Sequence, residues 1–114
     1  SRIREIHPEV CFWAIAGMPM TTGKRKRAGW QERLDVLTQR YPATPCIFEN
    51  ALGRFLRREV ARDDILDALV AALTAKGGSS GLRTLPGEPQ WDACGFPMEM
   101  VYCQPGQLCP GQAL

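Results

Sequence analysis

The clearest constraint on this chain is the run Asp63-Asp64-Ile65-Leu66-Asp67-Ala68-Leu69-Val70-Ala71-Ala72-Leu73-Thr74-Ala75-Lys76-Gly77-Gly78. Acids crowd its start, a cation and glycines follow its last apolar turn, and nothing inside it breaks a helix. The spacing predicts a helix over 64–75 with Asp63 or its neighbour as the cap. Two further amphipathic helices are predicted before it. One runs from about Ala28 to Tyr41, with Trp30, Leu34 and Leu37 on one face. The other runs from Phe48 to Val60, with Leu52, Phe55, Leu56 and Val60 as its stripe. Pro42-Ala43-Thr44-Pro45 separates them. A shorter helix starts at Pro8, carries Val10, Phe12, Trp13, Ile15 and Ala16, and stops at Gly17.

Strands are scarce. Residues 2–7 read as a short strand ending at His7-Pro8, and Met98 to Tyr102 alternates well enough for a second. Residues 77–97 are rich in Gly, Pro and Ser and read as a loop, and the tail after Tyr102 reads as disordered. Four helices and two short strands do not make a balanced α/β sheet. The chain is therefore either mostly helical or completed by another chain.

Composition narrows the function classes. The 114 residues, 45% hydrophobic and 23% charged, describe one small globular domain. No apolar run approaches the roughly 20 residues of a membrane span, and no signal-peptide core is present at the start. A net charge of +2 does not by itself imply nucleic-acid binding. The five cysteines are an odd number without a C-x-x-C pair, which argues against a zinc ribbon or a secreted disulfide framework and favours a reduced, cytoplasmic protein.

The acids are the residues to which chemistry attaches. Asp64 and Asp67 lie three apart on a helix and so share a face, backed by Ala68, Ala71 and Ala75. Carboxylates one turn apart can hold a hard divalent cation, and Glu5 and Glu9 could add oxygen ligands. The same residues have a structural account, since acids in a first turn cap the helix and favour its dipole. Asp67, one turn further in, is less readily explained that way. Lys24-Arg25-Lys26-Arg27 is a candidate phosphate-contacting patch or a solvated loop. His7, the only histidine, reads as structural.

Glu5-Ile6-His7-Pro8-Glu9-Val10-Cys11-Phe12, Asp63-Asp64-Ile65-Leu66-Asp67-Ala68-Leu69 and Gly95-Phe96-Pro97-Met98-Glu99-Met100-Val101-Tyr102 resemble, in that order, the C-terminal half of one bacterial family. It is the predicted RNase H-like nuclease family, domain of unknown function 429. The resemblance implies a partial, helix-rich α/β fold of RNase H-like type over residues 1–102. Glu5, Asp64 and Asp67 would be its catalytic acids, and Glu5, Glu9, Asp64 and Asp67 would hold Mg²⁺ or Mn²⁺ for phosphodiester hydrolysis. Lys24, Arg25, Lys26 and Arg27 would contact nucleic acid. The family's opening strand, whose glycine-aspartate motif supplies the first metal-binding acid, has no counterpart among these residues. The expectation is thus a truncated half-domain whose remaining acids would bind metal weakly. It would be completed as a homodimer or higher oligomer that covers its open strand and apolar faces. The alternative is a non-catalytic oligomeric interaction module.

Overall fold

A computed structural model describes residues 4–56, 60–77 and 81–103. These form helices α1 (Pro8–Ala16), α2 (Arg27–Arg40), α3 (Thr44–Arg54) and α4 (Arg62–Lys76), then strands β1 (Leu82–Trp91) and β2 (Pro97–Cys103). The fold is mixed α/β and helix-rich, as the sequence suggests. Among the described residues its sheet is one antiparallel pair, β1 with β2.

Each helix has a local reason to start or stop. Pro8 opens α1, where a missing N–H costs nothing, and Gly17 closes it in the left-handed region at φ 77°. In α2, Leu34 and Leu37 are buried on the predicted face, and Trp30 stacks on Phe48 with ring centres 5.8 Å apart. The boundaries of α3 differ from expectation. The helix begins at Thr44 because Pro45 sits in its first turn, where proline is tolerated, so only Pro42 acts as a breaker. Thr44 Oγ1 ties the junction by donating to the Tyr41 carbonyl at 2.6 Å. The helix ends at Arg54, because Phe55 turns to an extended conformation, rather than running to Val60.

Helix α4 starts at Arg62, two residues before the expected start at Asp64. Ala61 is the N-cap, and the Asp64 carboxylate reaches back to accept its N–H at 3.0 Å. At the other end Gly77 keeps a right-handed conformation. Its glycine is required by packing, since a Cβ there would lie 2.5 Å from Cys103 Sγ.

The largest correction concerns residues 77–97, expected to be loop, of which 82–91 are strand. Pro86 and Pro89 cannot donate to a ladder. The register solves this by pairing Leu82 through Leu85 with Cys103 through Met100, then breaking and resuming at Gln90 and Trp91. Both prolines fall inside the break. Asp92 shapes the turn, its Oδ1 accepting the Cys94 and Phe96 N–H groups at 2.8 and 2.9 Å, and Gly95 adopts φ 83°. The strand expected at 2–7 lies partly outside the described residues. Residues 4–7 are not regular strand, although the Glu5 carbonyl accepts the Val101 N–H at 2.9 Å. The tail from 104 onward lies outside the described residues.

One core joins these elements. Cys11, Phe12 and Ile15 of α1 meet Leu34 and Leu37, Phe48, and Ile65, Leu66, Val70 and Leu73 of α4, with Cys103 closing the β2 side. Burial pushes the Cys11 and Cys103 thiols up, away from the reactive thiolate. Among the described residues, no helix is long and apolar enough to cross a membrane.

Candidate functional site

The acid centre forms where the N-terminus of α1, the segment 17–26 and the first turns of α4 meet. Asp67 is placed by the rigid interior of α4, and its carboxylate accepts a hydrogen bond from Lys24 Nζ at 2.7 Å. Lys24 and Asp67 are both partly shielded, their side chains 32% and 23% exposed. The second Asp67 oxygen, Oδ1, is buried with no hydrogen-bond partner. A buried carboxylate oxygen without a donor costs on the order of 1–3 kcal/mol, more for a charged group. The lysine is held firmly protonated, first by its hydrogen bond to Asp67 and then by the fields of Asp67, Asp63 and Glu9. Three carboxylates thus act on one ammonium.

A second cation fixes the other side of the centre. Arg33 is almost wholly buried, and its guanidinium grips both oxygens of Glu9, Nε at 3.0 Å and Nη2 at 2.7 Å. Its Nη1 donates to the Thr22 and Gly29 carbonyls at 2.8 and 2.9 Å, and the group lies over the Phe12 ring. A planar fork of five donors suits such a junction, because one side chain serves α1, the 17–26 segment and α2 together. Next to it, Glu32 accepts the Thr21 and Thr22 backbone N–H groups and the Thr21 hydroxyl. Those bonds, the Thr21 backbone first, hold its carboxyl below the ordinary range. Gly29 lets the segment press against α2, for a Cβ there would run into the Gly23 carbonyl oxygen.

The residues expected to share a site are brought together only in part. Glu9 and Asp67 both border the Lys24 cluster. Asp64, three residues from Asp67, is exposed and spent on the α4 cap. Glu5 is exposed on the hairpin side, lining an open cleft with Leu85, Phe96, Met98 and Glu99. Lys24 is an ion-pair partner, whereas Arg25, Lys26 and Arg27 are exposed and form no ion pair among the described residues. No three His, Cys, Asp or Glu side chains among the described residues are grouped so that they could hold a metal ion. His7 is exposed and caps α1 through its backbone alone, without a side-chain bond.

Arg33, Glu32 and Gly29 are the site residues that the sequence reading missed. Arg33 had a legible signal. It falls on the stripe of Trp30, Leu34 and Leu37, at helical spacing, and a charged residue on a core stripe requires a buried partner. The Arg4–Glu99 pair, two bonds at 2.9 and 3.1 Å between the segment before α1 and β2, had no such signal.

A family model described as "Protein of unknown function (DUF429)" matches residues 1–91, most of the chain. The matched span contains α1 to α4 and the whole acid centre. No curated protein and no solved structure matches.

Proposed function

The chain belongs to the DUF429 family, and on that premise we propose that it is a domain of RNase H-like nuclease lineage whose acid centre is neutralised from within. In this form it binds rather than cleaves. The observation that carries the reading is Lys24, whose ammonium sits 2.7 Å from Asp67 where a divalent cation would need to approach. Arg33 holds both oxygens of Glu9, Asp64 serves the helix cap, and Glu5 faces another cleft. The residues named for Mg²⁺ or Mn²⁺ therefore do not fit the ion as arranged.

What remains is a binding surface. Exposed Arg25, Lys26 and Arg27 offer charge to a phosphodiester backbone. Trp91, Phe96 and Met98 leave an apolar hairpin surface suited to self-association. The test is a cleavage panel on single-stranded, double-stranded and branched DNA and on RNA, with Mg²⁺, Mn²⁺ or chelator, and Asp67→Asn alongside. The expected result is salt-dependent binding without metal-dependent cleavage. Cleavage that needs the metal and vanishes in Asp67→Asn overturns the reading. Light scattering tests self-association, and a monomer mass at high concentration removes that part.

A second reading is favoured by the unpartnered Asp67 Oδ1. It is a metal-dependent hydrolase in which Lys24 is withdrawn from Asp67 and Arg33 gives up one Glu9 oxygen, so that both carboxylates serve as ligands. Calorimetry with Mn²⁺ separates the two readings. If Lys24→Ala binds the ion where the native chain does not, the acid centre is competent once uncovered. If neither binds, the second reading fails.

A further inference from the structure

Residues 21–27 leave the body of the molecule and return to it with a distinctive set of attachments. Thr21 and Thr22 are clamped by Glu32, and the Thr22 carbonyl is clamped by Arg33. Gly23 rests against Gly29, and the Lys26 carbonyl starts α2 by accepting the Gly29 and Trp30 N–H groups. Both ends of the segment are thus fastened to α2. Among the described residues, its hydrogen bond to α4 is that of Lys24 to Asp67. Lys24 is also the first of four consecutive cations, of which the next three are exposed and form no ion pair among the described residues.

These attachments have a consequence for any ligand of repeated negative charge. A chain of phosphates docking on Arg25, Lys26 and Arg27 places a further anion beside Lys24, whose side chain is about a third exposed and so within reach. That anion competes with one carboxylate oxygen for one ammonium, while the clamped ends keep the segment in place. We propose that residues 21–27 form a phosphate-operated strap, in which a bound phosphodiester backbone draws Lys24 off Asp67 and uncovers that carboxylate. The proposal rests on the reading that the chain contacts nucleic acid, and it adds the coupling between that contact and the acid centre.

A bond that must break on binding costs the ligand affinity, so weakening that bond tightens binding, and Asp67→Asn weakens it by leaving Lys24 a neutral acceptor. The experiment measures fluorescence anisotropy of a labelled, short single-stranded oligodeoxynucleotide in chelator, with native protein, Asp67→Asn and Asp63→Asn. The Asp63 variant removes a negative charge that also acts on Lys24 without removing a hydrogen bond to it. Asp67→Asn is expected to tighten binding about fivefold beyond Asp63→Asn, at the low end of typical couplings. The Lys24 side-chain NMR signals of the native protein should shift at saturation toward those of Asp67→Asn. Equal tightening in both variants, or unmoved Lys24 signals at saturation, overturns the strap and leaves the binding reading standing. Absence of oligonucleotide binding overturns both.

Discussion

The helical body and the hairpin are built from similar stocks of apolar residues and use them in opposite ways. In the body, Phe12, Phe48, Leu37, Leu66 and Val70 are wholly or almost wholly buried, each contributed by a stripe that another helix covers. In the hairpin, Val101 and Cys103 reach the core, while Trp91 and Phe96 are 65% and 62% exposed. The difference is one of partners. Four helices can cover one another, whereas a two-stranded sheet packs β2 against α1 and leaves Trp91, Phe96 and Met98 exposed. The charged groups do not divide this way, since each region holds an ion pair with one buried partner: Arg33 on Glu9 in the body, and Glu99 on Arg4 beside β2.

The comparison breaks most visibly if a body residue proves dispensable. Phe12→Ala is expected to cost about 3–5 kcal/mol in urea denaturation, because a fully buried ring leaves a cavity among four elements. Arg33→Met should follow, at about 2–4 kcal/mol. It leaves Glu9 and two carbonyls without their donor, and the partial exposure of Glu9 keeps the cost below that of a fully buried pair. In a double-mutant cycle with Glu9→Gln, the combined loss should be less than the sum. Gly29→Ala should cost about 1–3 kcal/mol, since the new methyl displaces Gly23.

Glu32 sharpens the comparison through pH. Its carboxyl lies below the ordinary range when folded, so its contribution is complete above the ordinary glutamate value of about 4.3 and is lost as pH falls through the lower folded value. Denaturation of native protein and Glu32→Gln at pH 6 and pH 3 should show a smaller acid loss in the variant. The smallest effect belongs to the hairpin, where Phe96→Ser should change stability by about 0.5 kcal/mol or less in the isolated chain. A loss comparable to that of Phe12→Ala would show the hairpin surface to be buried in an assembly.

The acid centre was partly legible for a physical reason. Helical periodicity places Asp67 one turn inside α4, and a carboxylate there is not explained by capping. What periodicity cannot supply is the partner. Lys24 lies 43 residues away in a segment with no regular pattern, and Glu9 meets an arginine 24 residues away. Asp64 illustrates the opposite outcome. Its spacing from Asp67 suggested a shared site, while the Ala61 N–H at the helix start made the closer claim on its carboxylate.

The sequence by itself determined the helices and most of their limits, because Pro8, Gly17, Pro42 and the apolar stripes act over one or two turns of chain. It also determined β2, through alternation. Only the tertiary structure decided that β1 exists, since a proline-bearing segment becomes a strand when its neighbour's register offers a break to hold the prolines. The tertiary structure likewise decided which charges meet. Ion pairs between distant segments depend on how helices pack, and packing is set by the core as a whole. Lys24 on Asp67 and Arg33 on Glu9 are products of that packing, and they decide how the acid centre is presented.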